Sequence, residues 1–275
     1  MESPIITLTT DWSLSNHFVG KVKGRLYSLL PEVRIVDISH EVPVADKFSA
    51  AFLVRNTYED FPVGTIHLID VSGTRATGDI VVVEHKGHFF ITVDNGLPAL
   101  LFDGQAVKAF RVSNQRVPNT GVFVAYEVFC ALAADLVGGR SVQSMGDPVE
   151  EFRSAQFYRP PATPEQIITH VIFIDTFGNA YLDLSYEDFE HHRQGRPFEM
   201  SVREIKINKI ETPTPYEQHP DFDGTSQLSL RLLLTVAVTG NLVISTSLPY
   251  ENASRLVGIR KMQQIRISFK ALSDK

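Results

Sequence analysis

Four acidic residues in the first hundred each stand at the end of an apolar run. These acids and their runs are Asp11 after Ile5–Thr10, Asp37 after Val33–Val36, Asp70 after Thr65–Ile69 and Asp94 after Phe89–Val93. Carboxylates accept hydrogen bonds from hydroxyl groups and pair with cations. Ligands of open α/β sheets gather where the strands end. The pattern therefore predicts a rim of carboxylates and amides suited to a polyhydroxylated ligand, including a cationic one.

Asp70 is the first candidate for chemistry within this rim. It lies between a buried run and a small-residue loop, Ser72–Gly78, which is followed by a second apolar run, Ile80–Glu84. Taken singly, each acid also fits a simpler role as a helix cap or turn residue. Asp94 in particular begins Asp94-Asn95-Gly96, which is typical of a tight turn.

The elements that must position these acids alternate between strand and helix. Strands are predicted at Ile5–Thr9, Val33–Ile38 and Thr65–Ile69. One helix is predicted over His17–Leu30, with Ser15 or Asn16 as its cap, and a second helix is predicted to begin after Asp46, which can cap it. This order predicts parallel strands joined by right-handed crossovers. A hairpin around Lys86-Gly87 and an apolar helix over Phe123–Val137 follow.

A proline-rich connector, Arg159–Pro164, divides the chain into two predicted domains. Residues 1–160 are predicted to form a three-layer-like α/β domain. Residues 166–275 are predicted to form an all-β barrel or sandwich. Its strands are expected at Ile167–Asp175, Ala180–Leu184, Val202–Ile207, Leu228–Val238, Leu242–Ser247 and Gln264–Phe269, with helices at Tyr186–His192 and Ala253–Val257 and a long loop over Thr212–Asp223.

Composition narrows the class of protein. The 275 residues are 43% hydrophobic and 21% charged, with a net charge of −6, which gives no electrostatic footprint for nucleic acid or an anionic membrane. No run approaches the ~18 apolar residues of a membrane helix. The single cysteine, Cys130, fits a reducing compartment, and the first residues lack a signal-peptide pattern. We therefore expect a cytoplasmic protein, and the histidine spacings predict no metal site.

Five segments in order resemble the S-adenosylmethionine hydrolase (adenosine-forming) and fluorinase/chlorinase family, across nearly the whole chain. They are Thr9-Thr10-Asp11 with Phe18-Val19-Gly20 and Lys23-Gly24, Ile35 to Pro43 (IVDISHEVP), His67-Leu68-Ile69-Asp70, Asp94-Asn95-Gly96-Leu97, and Ile174 to Ala180 (IDTFGNA).

The resemblance implies a homotrimer that binds S-adenosylmethionine as substrate or ligand, without a further cofactor. The site would lie between the N-terminal domain of one subunit and the C-terminal domain of the next. Asp11 would hold the ribose hydroxyls, and the residues around Asp175 would surround the methionine end. The full predicted binding set is Asp11, Trp12, Asn16, Asp94, Asn95, Asp175, Phe177, Asn179, Asn252 and Ala253.

The implied reaction is attack of water on the 5′ carbon of the ribose, with methionine leaving as a neutral thioether. Family hydrolases use an Asp, an Arg and a His to orient the water and take its proton. Asp70 stands at the Asp position, but Thr77 stands at the Arg position, with Arg75 two residues earlier, and Val124 stands at the His position. Asp70 and Arg75 are the predicted catalytic residues.

The C-terminal half departs from the family pattern as well. The usual Asn-Ser before a glycine is replaced in the segment Ala237-Val238-Thr239-Gly240. Three hypotheses follow from the motifs and their departures: an S-adenosylmethionine hydrolase-like enzyme, a family member that binds S-adenosylmethionine or a nucleoside without efficient turnover, and a trimeric protein that binds a partner.

Overall fold

The computed structural model divides the chain into two compact units, residues 1–156 and 157–275. The residues it describes are 3–73, 78–113, 123–155, 162–211, 232–236, 239–246 and 252–270.

A mixed seven-stranded sheet is the centre of the N-terminal unit. Its strands are β1 (Ile5–Thr10), β2 (Arg34–Ser39), β3 (Ile66–Asp70), β4 (Ile80–His85), β5 (His88–Val93), β6 (Lys108–Val112) and β7 (Gly146–Pro148). The strand order is β2-β1-β3-β5-β4-β6-β7. The adjacent pairs β2–β1, β1–β3 and β3–β5 are parallel, and the pairs β5–β4, β4–β6 and β6–β7 are antiparallel. This confirms the predicted parallel arrangement of the first three strands.

Helices cover both faces of this sheet. They are α1 (His17–Leu29), α2 (Lys47–Arg55), α3 (Leu97–Phe102) and α4 (Cys130–Val137), with 3-10 turns at Tyr58–Asp60 and Val142–Ser144 and a π-helical turn, Ala125–Phe129, that runs directly into α4. Alternate strand residues serve opposite faces. Leu68 packs in the core with Leu26 of α1 and Ala133 of α4. On the other face, Phe90 meets Phe102 of α3 with ring centroids 5.2 Å apart.

Three features of this unit were not expected from the sequence. The segment after Asp94-Asn95-Gly96 continues into α3, and the short strands β6 and β7 extend the sheet. Asn16 is at the N-cap of α1, but its side chain makes no capping bond there. Its amide donates instead to the carbonyl of Trp12, at 2.6 Å, so the prediction that this side chain caps α1 is wrong.

Buried histidines lie on the α2 and α3 face. His67 is fully buried, and its Nδ1 is 2.8 Å from Thr7 Oγ1 while its Nε2 is 3.3 Å from His88 Nδ1. The ring stacks on Phe90 with centroids 4.8 Å apart. Burial, with a smaller contribution from His88, lowers the pKa of His67 to about 3.

The low pKa of His67 predicts that acid destabilises the protein. The unfolded chain binds a proton at His67 near pH 6.5, and the folded chain does not. The free energy of unfolding is therefore not reduced by this histidine above pH 6.5, and it falls as the pH drops from 6.5 toward 3. The expected slope is about 1.4 kcal/mol per pH unit. Urea unfolding of wild type and His67→Gln between pH 7 and 4 measures it. A wild-type slope equal to that of the variant would show that His67 does not contribute.

The C-terminal unit is built on an antiparallel sheet. Its elements are β8 (Gln166–Ile174), β9 (Ala180–Ser185), α5 (Tyr186–Arg193), β10 (Phe198–Val202), β11 (Ile205–Ile207), β12 (Leu232–Val236), β13 (Asn241–Thr246), α6 (Ala253–Val257) and β14 (Gln264–Phe269). The seven strands follow the order β11-β10-β14-β8-β9-β13-β12. The edge strands β11 and β12 approach each other, so the sheet curls over an apolar core that includes Leu182, Met200 and Ile267.

The predicted fold class, an α/β domain followed by an all-β domain, is confirmed. One strand prediction is only partly right: Val202–Ile207 is not a single strand, because Arg203, with a positive φ, and Glu204 form a turn between the end of β10 and β11. The predicted loop Thr212–Asp223 lies outside the described residues. Among the described residues, no helix is both long enough and apolar enough to cross a membrane.

Candidate active site

Asp70 ends β3 at the carboxyl edge of the parallel strands, in register with Thr10 at the end of β1. The Asp70 side chain is only 4% exposed. Burial, reinforced by the nearby charge of Asp11, raises the pKa of Asp70 to about 8, and a backbone hydrogen bond from Gly73 opposes the shift. Two carboxyl groups predicted from separate strand ends are thus neighbours. A carboxyl group whose pKa lies near the working pH is suited to accept a proton during a reaction.

Asp11 joins two loops at this edge. Its Oδ2 accepts hydrogen bonds from the backbone amides of Ala45, at 2.9 Å, and Ser72, at 3.1 Å. One carboxylate oxygen therefore connects the loop before α2 to the loop after Asp70. Neither amide was anticipated from the sequence, because only the fold brings these three segments together.

Asn95 braces the same loop from the other side. Its Nδ2 donates to the carbonyls of Val71, at 3.0 Å, and Ser72, at 3.3 Å, and its Oδ1 accepts from the amide of Leu97. The carbonyl of Asn95 accepts from Lys47 Nζ at 2.8 Å. The amide group of Asn95 is thus engaged in holding the loop that follows Asp70, and its predicted role in binding a ligand stays a prediction.

The carboxylate of Asp94 points away from solvent. Asp94 is 4% exposed, and the backbone amide of Arg153 lies 3.1 Å and 3.2 Å from its two oxygens. Burial raises the pKa of Asp94. This residue anchors the segment around Arg153 to the end of β5, a contact that the sequence did not reveal.

Trp12 and Asn16 lie on the loop that follows β1. Trp12 is half-buried, and its ring meets that of Phe123 edge-on at 5.1 Å and lies parallel to that of His40 at 6.3 Å. Asn16 is exposed and holds the carbonyl of Trp12. The ring of Trp12 thus packs within this unit and leaves part of its surface accessible.

The loop after Asp70 approaches the carboxylate closely at Gly73. A Cβ atom at this position would lie 1.6 Å from Asp70 Oδ1, so the absence of a side chain is what allows the loop to close over the carboxylate. Arg75 and Thr77 lie outside the described residues. The predicted catalytic role of Arg75 therefore stays a prediction.

Val124 occupies an apolar position. It is 2% exposed and belongs to the core cluster, immediately before the π-helical turn. π-Helical turns within helices are frequent at functional sites. The structure therefore shows a packed apolar side chain at the position where the resemblance implies a histidine.

A second group of predicted residues meets in the C-terminal unit. Asp175 accepts from the amide of Asn179 through Oδ1, at 2.9 Å, and from Asn179 Nδ2 through Oδ2, at 2.8 Å. The hydroxyl of Tyr181 lies 3.4 Å from the same Oδ2. Phe177, at the tip of this loop, is 76% exposed. The motif therefore forms a rigid turn that presents an aromatic ring to its surroundings.

Asn252 and Ala253 lie beside that turn. Asn252 caps α6 by accepting from the amide of Arg255 at 2.9 Å, and Ala253 is fully buried. Gly178 has a φ of +85°, and a Cβ there would overlap the Asn252 side chain. The amide of Ser254 donates to the carbonyl of Gly178 at 3.0 Å. The two segments are thus packed backbone to backbone.

Residues 6–146 match the model of the SAM hydroxide adenosyltransferase N-terminal domain. The chain belongs to this family. A match over these residues takes in Asp11, Asp70 and Asn95, together with the loops that they join.

Two relatives of this chain and one solved structure indicate how far the likeness extends. The chain is 25% identical to an (R)-S-adenosyl-L-methionine hydrolase of Salinispora tropica over 97% of this chain and 98% of the relative. It is 24% identical to one of Methanocaldococcus jannaschii over 67% and 68%. An uncharacterized conserved protein from Thermotoga maritima superposes with a TM-score of 0.80 at 22% identity, covering 96% of this chain and 99% of that one.

Among the described residues, no group of three or more histidine, cysteine, aspartate or glutamate side chains is arranged to hold a metal ion. Cys130 is buried and unpaired with another cysteine, and burial raises the pKa of its thiol to about 12.

Proposed function

We propose that this protein hydrolyses S-adenosyl-L-methionine to adenosine and methionine. The observation that carries the proposal is the pair of neighbouring carboxyl groups, one of them the buried Asp70, at the carboxyl edge of the parallel strands. Membership of the SAM hydroxide adenosyltransferase family and the names of its relatives support the choice of substrate.

In the proposed reaction a water oxygen attacks the 5′ carbon of the ribose opposite the sulfonium. The carbon–oxygen bond forms as the carbon–sulfur bond breaks, and the electron pair leaves with sulfur as a neutral thioether. The leaving group needs no proton, so no general acid is required. The water must be held in line and must lose a proton, and the ionised carboxylate of Asp70 accepts it.

Asp11 contributes in two ways to this scheme. Its Oδ2 already holds two loop amides, and its remaining acceptor positions suit the ribose diol. Its negative charge also raises the pKa of Asp70, which makes the Asp70 carboxylate a stronger base. In the C-terminal unit, we assign the turn formed by Asp175, Phe177 and Asn179 to the methionine end of the substrate.

Incubation of the purified protein with S-adenosyl-L-methionine, followed by chromatography for adenosine and methionine, tests the proposal. We expect equimolar products from wild type and none above background from Asp70→Ala. Equal adenosine release by both proteins, or none by wild type, would contradict it. Incubation in ¹⁸O-labelled water should place the label in the 5′ hydroxyl of adenosine, whereas label elsewhere would contradict attack at the ribose.

Binding without efficient turnover is a second candidate, favoured by the buried Val124 where the family hydrolases carry a histidine. Calorimetry with S-adenosyl-L-methionine, adenosine and methionine separates the candidates. Heat of binding without product formation supports the second candidate, and product formation supports the first.

We propose in addition that the protein works in the cytoplasm as a homotrimer and needs no cofactor. The trimer is the assembly that the family resemblance implies, and the single cysteine fits a reducing compartment. Light scattering coupled to size-exclusion chromatography measures the mass. A mass near that of one 30.7 kDa chain would contradict the trimer.

A further inference from the structure

His40 lies outside the predicted set of site residues, but its side chain contacts Thr10, the last residue of β1 and the one directly before Asp11. His40, after β2, is 3% exposed, and its Nδ1 is 2.7 Å from Thr10 Oγ1. Thr10 is 1% exposed and is the register partner of Asp70 on the neighbouring strand. Paired residues of parallel strands direct their side chains to the same face, so the Thr10 hydroxyl lies between His40 and the strand of Asp70.

Thr10 and His40 belong to a chain of polar contacts that runs to the surface. Thr10 Oγ1 accepts from the backbone amide of Trp12 at 3.4 Å, so its own proton is free to point toward Nδ1 of His40. On the other side of the ring, His40 Nε2 lies 3.1 Å from Asp37 Oδ1. Asp37 is held in turn by Lys23 Nζ at 2.6 Å.

The backbone around His40 fastens the loop that bears Asp11. The carbonyl of His40 accepts from the amide of Ser13 at 2.8 Å, and the amide of Val42 donates to the carbonyl of Thr10 at 3.3 Å. Three contacts therefore bracket Asp11, and the one made by a buried side chain is that of His40. Glu41, the next residue, adds an exposed contact to the amide of Leu14 at 2.9 Å.

We propose that His40 is a positioning residue, which through Thr10 holds the Asp11 loop in the geometry that sets the two carboxyl groups against each other. This inference rests on the proposed function for its catalytic readout. In this role His40 supplies an imidazole that supports Asp70 indirectly. Val124 supplies none at the position where the family hydrolases carry their histidine. Small displacements of catalytic groups can cost about a hundredfold in rate.

Two substitutions at His40 separate its two contacts. His40→Asn keeps an amide oxygen near the position of Nδ1 and preserves the bond from Thr10. His40→Gln places its amide near Nε2 and loses that bond. We expect kcat/KM of His40→Gln to fall about 10- to 100-fold and that of His40→Asn to stay within about threefold of wild type. Thr10→Val removes the same bond from the other side and should match His40→Gln, which keeps the test valid if His40→Gln fails to fold.

His88→Gln is the matched control. His88 is also 3% exposed, but it begins β5, at the opposite end of the sheet from Asp70. The His88→Gln variant should be less stable than wild type and should retain the wild-type kcat/KM per folded molecule. If His40→Gln and Thr10→Val behave in the same way as this control, His40 is merely structural and the proposal is overturned.

A measurement without substrate distinguishes failure of this inference from failure of the proposed function. In protein labelled with ¹³C at the aspartate carboxyl carbons, the Asp70 signal is assigned by its loss in Asp70→Asn. Loosening the Asp11 loop should move the titration midpoint of Asp70 downward in Thr10→Val and His40→Gln, because the charge of Asp11 recedes. An unchanged midpoint in both would overturn the positioning role, even where wild type forms no adenosine.

Discussion

Replacing Asp70 with asparagine should abolish adenosine formation and at the same time stabilise the protein. The loss of a proton acceptor typically reduces the rate by about 10²–10⁴-fold. Asparagine keeps the shape of the buried side chain and removes its charge. The Asp70→Asn variant should therefore lack the base, and its free energy of unfolding should be larger than that of wild type.

The stabilisation should depend on pH in a direction fixed by the raised pKa of Asp70. The unfolded carboxyl group ionises near pH 4, whereas the folded group ionises near pH 8. Between these values the folded state holds a proton that the unfolded state has lost, so wild-type stability falls as the pH rises. Asp70→Asn removes this loss, and its advantage in melting temperature should be larger at pH 8 than at pH 5.

Melting curves of both proteins at pH 5, 6, 7 and 8 measure the difference. The difference, not the wild-type curve, isolates Asp70, because His67 acts in the opposite direction below pH 6.5. A constant difference across the series would show that the Asp70 carboxyl group ionises near its ordinary pH. The same pKa predicts that kcat/KM of wild type rises with pH and levels off above about pH 8.

The nearness of Asp11 and Asp70 could be predicted because it follows from strand order. Apolar runs separated by helices give parallel strands, and parallel strands place their carboxyl ends at one edge. Hence the two acids come together although they are 59 positions apart in the chain. The turn of Asp175 and Asn179 lies between two strands that the sequence predicted, Ile167–Asp175 and Ala180–Leu184, and it is a local structure closed by its own side chains.

The partners of these acids could not be predicted, since they depend on contacts between loops. Nothing in the residues around Asp94 reveals that its carboxylate turns inward to the amide of Arg153. Asn95 resembles a turn residue in the sequence, and only the fold shows that it holds the loop after Asp70. His40 was part of a recognised motif, but its contact with Thr10 joins two strand ends that are 30 residues apart.

The second large effect is expected at Gly73, whose substitution by alanine should inactivate the enzyme while leaving it folded. The new methyl group would lie 1.6 Å from Asp70 Oδ1 and 2.8 Å from its Cγ, so either the carboxylate or the loop must move. Asp70 is buried and the loop is held by Asp11 and Asn95, so neither can move without changing the site. We expect kcat/KM to fall at least about a hundredfold.

Gly24→Ala is the matched control for this prediction. Gly24 is an exposed residue within α1, and an added Cβ there meets no atom within 4 Å. Alanine in place of glycine inside a helix stabilises by about 1 kcal/mol, so this variant should melt at a higher temperature with unchanged activity. Gly73→Ala should instead retain a cooperative melting transition and lose turnover. If Gly73→Ala proved as active as Gly24→Ala, the loop would not close over the Asp70 carboxylate in the working enzyme, and the assignment of that carboxylate as the base would fail with it.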